Sequence, residues 1–213
     1  GVIGLAAVDF YLWPVVFRPF GRKKNCYRWP YFYSDSRRRR SCRKTLAENY
    51  ARFADHMIEN HEKSIALICM EQLDEDFTLM IRSFMRNQEK TRIFSSMEYN
   101  ASQMASILRC LDLLITSRYH AAVLSLEAAV PQIAIGHDQR LRDLYQDLGI
   151  FDEYFLEHTA PGLFQLLEER TKKLMRGPER QREILEKNSL IHQERAKRNQ
   201  KLLENLVNRE ATL

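Results

Sequence analysis

The sequence predicts an α/β fold: a parallel sheet with helices on both faces, followed by a helical C-terminal tail. Three observations predict it. Short continuous apolar runs, such as Ser64–Met70 and Leu113–Thr116, read as strands buried on both sides. Segments of helical period alternate with these runs, the order that a parallel sheet requires. With 213 residues, 45% of them hydrophobic and 29% charged, the chain holds one sizeable core, and disordered, collagen-like and disulfide-dense classes are excluded.

The elements follow in order. Val2–Phe17 is apolar but interrupted by Asp9 and Pro14, and reads as one or two buried strands. It is shorter than the roughly 20 residues of a membrane span and lacks the basic leader and cleavage site of a secretory signal. A basic, aromatic loop is expected over about 21–43. Its run Arg37–Arg40 reads as solvated, the alternative being contact with phosphate or an anionic membrane surface. The aromatics from Tyr27 to Tyr33 read as an insertion packing on itself rather than a nucleic-acid platform.

Leu46, Tyr50, Phe53, Ala54, Met57 and Ile58 recur at helical spacing and predict a helix over Thr45–His61. Asp74 and Asp76 open the next helix, through Phe77, Met80, Ile81 and Phe84. Thr91–Phe94 is a brief strand, and Asn100 or Ser102 caps a helix through Met104, Ile107 and Leu108. After Leu113–Thr116 come a helix from about His120 to Ala129, a strand over Gln132–Ile135, and a helix from about Leu141 to Leu148 closed by Gly149. Residues 1–160 then form one domain. Residues 161–213 form a charged helical extension broken at Gly177-Pro178, with an incomplete apolar stripe from Ile184 to Val207.

Cys26, Cys42, Cys69 and Cys110 show no metal-ligand spacing, so neither a metal nor a cofactor is expected, and a reducing cytoplasm fits best. With no Met at position 1, the chain is expected to be a fragment, a processed product or one domain of something longer. Motifs for dinucleotides, P-loop phosphates, zinc proteolysis and α/β-hydrolase chemistry are absent.

Ligands of open α/β sheets bind at the carboxyl ends of strands. Polar residues fall there in four places: Arg18, Glu71-Gln72, Ser117–His120 and Gly136–Arg140. Thr116–His120 is the foremost candidate. Free backbone N–H groups at the following helix favour an anion, Arg118 adds a charged fork, and His120 stands where a proton can be held and transferred. The bland alternative is a capping Ser117 and a histidine bonded to backbone. Arg18 and Arg140 are either ligand contacts or surface ion pairs. His137 and Asp138 suit a turn, and Gln72, Asp74 and Asp76 suit a helix start.

The run Leu111–Ile150 resembles the polysaccharide pyruvyl transferase family, in which a strand leads to an Arg-Leu-His motif, a helix, a V-P-V-I-x-I strand, a Tyr-Asp-x-Lys turn and a helix ending in Leu-Gly. Val15–Phe20 and Met70–Asp76 are similar to that family's Arg-Pro-Trp and Pro-x-Gln strand ends. Tyr119 stands in place of Leu, Gly136-His137 in place of the Tyr before Asp138, and Arg140 in place of Lys. The resemblance implies the C-terminal, Rossmann-like half of a GT-B-like protein, with an N-terminal half upstream. It implies transfer of a ketal-forming pyruvyl group from phosphoenolpyruvate to a glycan or lipid-linked sugar. His120 would be the general acid, and Arg118, Arg140, Arg18, Ser117, Gln72 and Asp138 the substrate-binding residues. Leu126–Pro131 is also similar to a Glu-Ala-x-x-x-Pro pattern of nucleotide-sugar glycosyltransferases, where Glu127 would contact a ribose or sugar. A truncated, non-catalytic domain is the third reading.

Overall fold

The computed structural model describes residues 1–12, 15–20, 26–33, 36–136 and 138–210, the last four without side chains. In chain order the elements are β1 (Val2–Ala6), β2 (Val15–Phe17), β3 (Cys26–Arg28), β4 (Tyr31–Tyr33), α1 (Arg37–His61), β5 (Ser64–Cys69), α2 (Glu75–Phe84), β6 (Thr91–Ser95), α3 (Ala101–Arg109) and β7 (Leu113–Thr116). There follow α4 (Tyr119–Ser125), β8 (Gln132–Gly136), α5 (Gln139–Asp147), α6 (Phe151–Tyr154), β9 (Phe155–Glu157), α7 (Leu163–Arg176) and α8 (Glu179–Glu210).

The main sheet is parallel throughout, in the order β6-β5-β1-β7-β8-β9. The chain builds outward from β1 through β5 and β6, then returns to the other side of β1 for β7, β8 and β9. This is the doubly wound order of a Rossmann-like fold, and its switch point lies between β1 and β7. Alternate strand residues enter different cores: Ile65 and Leu67 pack with α1 and α2, Ala66 and Ile68 with α3 and α4. Both faces are therefore covered, which is why the strands read as unbroken apolar runs. A Cβ on Gly4 would collide with the Leu111 side chain, so β1 needs glycine for this close approach.

Three expectations are corrected. Val15–Phe17 does not join the main sheet but pairs in a separate antiparallel sheet, β2-β4-β3. The arginine run is not a loop: α1 begins at Arg37, where Ser36 Oγ accepts from the Arg39 N–H at 3.2 Å. Arginine forms helices well, but these first two turns present no apolar stripe, so hydrophobic periodicity starts only at Leu46. Positive charge at a helix N-terminus is unfavourable. Arg39 Nη1 donating to Tyr11 O at 3.2 Å and Arg43 Nε at 2.8 Å from Asp9 Oδ2 offset it. Third, α6 and β9 are unforeseen, because elements of four and three residues carry no measurable period. Residues 21–25 and 34–35 of the expected basic loop lie outside the described residues.

The tail is helical on both sides of Gly177-Pro178, as expected, and Leu163, Leu167, Leu174 and Leu185 enter the same core as the sheet. What fastens α8 is an amide. β9 begins opposite Ala134, leaving the β9-facing backbone of Gln132 without a strand neighbour. Gln181 supplies one: its Oε1 accepts from Gln132 N at 2.8 Å and its Nε2 donates to Gln132 O at 2.9 Å, in full burial. Gln181→Leu should lower unfolding stability by about 2–4 kcal/mol, since it strands a buried N–H and a buried C=O. Urea denaturation measures this.

Candidate functional site

The site is built from four strand ends. At the end of β7, Ser117 N donates to Ala6 O at 2.9 Å, which ties this turn to β1. The hydroxyl that shapes the turn is Thr116 Oγ1, accepting from Arg118 N at 2.9 Å and donating to Arg118 O at 3.0 Å. Ser117 is thus not the capping residue. Its buried Oγ instead lies beside the buried Tyr50 hydroxyl. Burial pushes the Tyr50 phenol far above its ordinary range. The helix that follows, α4, has only seven residues, too short to add a strong dipole.

Arg118 is the central side chain. Its Nε donates to both oxygens of Asp74, at 3.1 and 3.0 Å, and its Nη2 bonds the same carboxylate. Nη1 lies 3.1 Å from Glu71 Oε2. Asp74 is only 2% exposed and also accepts from Met70 N and Glu71 N at 3.1 Å each. Burial raises its pKa, and the Arg118 hydrogen bond and charge oppose that rise. Asp74 begins the helical segment as its sequence position suggests, yet its carboxylate is the partner of Arg118.

Around this pair is a cavity of about 270 Å³. Val8, Asp9 and Leu12 after β1, Glu71, Leu73 and Asp74 after β5, Ser117–His120 after β7, and Asp138 and Arg140 after β8 line it. It occupies the switch point, where a doubly wound sheet opens a crevice. Asp9, the lone charge in an apolar stretch, is buried there; it accepts from Tyr11 N at 2.9 Å and faces Arg43. Burial raises its pKa against the pull of Arg43.

At the cavity mouth Asp138 Oδ1 caps α5 through Arg140 N at 2.9 Å. Its other oxygen pairs with Arg140 Nη2 at 2.6 Å. The Arg140 guanidinium also lies over the Tyr119 ring, 5.5 Å from its centroid. His120 is exposed, with its ring against Tyr119 at 5.6 Å between centroids. Its imidazole makes no hydrogen bond to the described residues, so the backbone-bonded alternative does not hold.

Five of the sequence-predicted residues converge on this cavity: Ser117, Arg118, His120, Asp138 and Arg140. Arg18 and Gln72 do not. Arg18 is exposed at the end of β2, outside the main sheet, and Gln72 is exposed in a 3-10 turn whose Asp74 points inward instead. Glu127 also lies away from the cavity, in an ion pair with Arg109 at 2.5 Å. His137 lies outside the described residues. Glu71 and Tyr119, named at strand ends but not among the binding residues, join the site, and so does Asp9, whose signal was the interruption of a hydrophobic run by a carboxylate. Among the described residues no cluster of His, Cys, Asp and Glu could hold a metal ion.

Arg118→Ala would leave Asp74 charged and unpaired in the interior. It should cost about 3 kcal/mol of stability in chemical denaturation, with Asp74→Asn in the same chain recovering much of the loss.

Among curated proteins no relative is found. The sequence profile of the family described as polysaccharide pyruvyl transferase matches residues 13–139, more than half of the chain and including β5, β7, β8 and the cavity residues Glu71 to Asp138. The doubly wound sheet, the cavity at its switch point and this match agree: the chain belongs to the polysaccharide pyruvyl transferase family.

Proposed function

We propose that this chain carries the donor site of a transferase that moves a pyruvyl group from phosphoenolpyruvate onto two hydroxyls of a sugar in a cell-surface glycan. The convergence of Arg118, His120 and Arg140 on one cavity is the observation that supports it. Ketal formation begins with a proton added to the methylene carbon of the donor, which makes its C2 electrophilic. One sugar oxygen bonds to C2, a second displaces phosphate from it, and the hydroxyl protons leave to a base and to phosphate. His120 suits the first role: it is exposed at the mouth and its ring nitrogens are not held by described groups. Arg140 and Arg118 suit the anionic carboxylate and phosphate. Asp9, buried on the β1 side of the cavity, suits the acceptor hydroxyl.

Arg118 is not idle in this arrangement. Asp74 holds its Nε and Nη2, while Nη1 faces Glu71, whose side chain is 48% exposed. The incoming donor would take the place of Glu71, leaving Asp74 as the fixed anchor. The reading includes an N-terminal domain that supplies the acceptor half of the cleft, and the cytoplasm as the compartment. The nucleotide-sugar alternative loses its residue, since Glu127 pairs with Arg109 outside the cavity.

Calorimetric titration with phosphoenolpyruvate tests the donor. Micromolar to millimolar binding by the intact gene product is expected, and no heat of binding would sink the reading. His120→Ala should reduce sugar-dependent phosphate release by about 10²–10⁴-fold with donor affinity little changed; undiminished release would remove His120 from its role. Glu71→Gln should tighten donor binding several-fold, because a competing negative charge is removed from Arg118.

A further inference from the structure

The small sheet β2-β4-β3 exposes a cluster that the donor site does not use. Phe17 ends β2, Arg28 ends β3 and Tyr31 begins β4, and both Phe17 and Arg28 pair with Tyr31 across the sheet. All three therefore lie at one end, from which Arg18–Phe20 and the Trp29-Pro30 turn extend; Arg18 N donates to Pro30 O at 2.9 Å and joins the two arms. At this tip Phe20 is 99% exposed, Trp29 71% and Phe17 64%. At the opposite end Phe32 and Tyr33 are buried. Large aromatics gathered at one projecting tip mark an interaction surface, since water gives them no partner.

The charge of the segment is one-sided. From residue 15 to 44 the sequence has eleven lysines and arginines, among them Arg18, Arg28 and the Arg37–Arg40 run, against one carboxylate, Asp35. The chain as a whole carries only +5, so the excess is local. Exposed Arg37 and Arg38 begin α1 four and five positions after Tyr33, within about 17 Å of the sheet by chain length alone.

We propose that this tip docks the protein on an anionic membrane surface, with Phe17, Phe20, Trp29 and Tyr31 at headgroup level and the arginines on lipid phosphates. Aromatic side chains favour that interface, and each basic side chain near an anionic leaflet adds attraction. Single-stranded nucleic acid is the other occupant of basic aromatic surfaces, but it needs open ring faces on which bases stack. Two of the four tip rings, Phe17 and Tyr31, meet edge to face at 72°, which makes a wedge rather than a platform at the sheet end. The sheet leaves the carboxyl end of β1, the edge that bears the cavity; burial raises the pKa of Tyr33, and Tyr27 and Glu71 of the cavity wall add to the rise. A docked tip brings the cavity near the membrane, where a lipid-linked acceptor would be found. No helix among the described residues is long and apolar enough to cross a membrane.

The docking surface stands apart from donor chemistry and is tested without turnover. The full chain is sedimented with vesicles of phosphatidylcholine alone, and with vesicles containing about one-third phosphatidylglycerol, at low and high salt. Salt-sensitive partitioning onto the anionic vesicles is expected. It should fall about tenfold or more in Arg18→Gln/Arg28→Gln, from roughly one tenfold factor per 1.4 kcal/mol, and comparably in Phe20→Ala/Trp29→Ala. Both pairs of residues are exposed, and matching thermal melts would confirm that the variants fold. The proposal is overturned by absence of partitioning, by equal partitioning of wild type and Phe20→Ala/Trp29→Ala, or by a single-stranded RNA homopolymer that binds and is not displaced by anionic vesicles.

Discussion

The ion pair between Arg118 and Asp74 links two strand ends that are not neighbours. Asp74 follows β5 and Arg118 follows β7, with β1 between them. A carboxylate this deeply buried is tolerable only with its charge opposed and its lone pairs occupied. Arg118 and the N–H groups of Met70 and Glu71 meet that need. The pair thus fixes the turn after β5 against the turn after β7, across the crevice where a doubly wound sheet receives a ligand. Cys69 at the end of β5 is enclosed by the same packing, and burial pushes its thiol up to about 11, so it is a space-filling group rather than a nucleophile.

The cavity is less cationic than a bare phosphate site would be. Asp74 holds Arg118, Asp138 holds Arg140, and Asp9 faces Arg43. Glu71 is the carboxylate beyond this pairing, and it shares Arg118 with Asp74. Arginines locked in this way lose little conformational freedom when an anion arrives, because their geometry is already set by the carboxylates behind them. The cost is competition, and the most solvent-exposed competitor is Glu71. The arrangement favours a small ligand with two anionic groups, one meeting each arginine.

Much of the frame is legible in the residues. The buried strands Ser64–Cys69, Leu113–Thr116 and Gln132–Gly136 announce themselves as apolar runs, and their carboxyl ends locate the site. The arginine-rich start of α1 is not legible, because its helicity rests on Ser36 and on pairs with Tyr11 and Asp9 that are distant in sequence. Nor does the pattern reveal that Val15–Phe17 leaves the main sheet, since a three-residue apolar strand looks alike in either place. At the site, strand-end position and motif resemblance promoted Arg18 and Gln72 together with Arg118 and His120. Burial and direction separate them: Gln72 points to solvent, whereas Asp74, two residues on, turns inward. Asp74 escaped notice as a site residue because an acid at a helix start has an ordinary explanation in capping.

Two of the three departures from the family's motif meet in space. Tyr119 stands where the Arg-Leu-His pattern has leucine, and Arg140 where the Tyr-Asp-x-Lys pattern has lysine. The Arg140 guanidinium lies over the Tyr119 ring while Asp138 grips its edge. A lysine is a strongly hydrated point charge and would gain less from an aromatic neighbour; a planar guanidinium stacks and still offers its fork sideways. A leucine at 119 would give that plane nothing to lie on. Each change is therefore poorly suited to the family's usual partner and well suited to the other. Together they hold a cation at the mouth, beside His120, although the Arg140 side chain is 65% exposed. With Arg118 anchored by Asp74 on the inner wall, the cavity then has its two positive ends set by different means, one by burial and one by stacking.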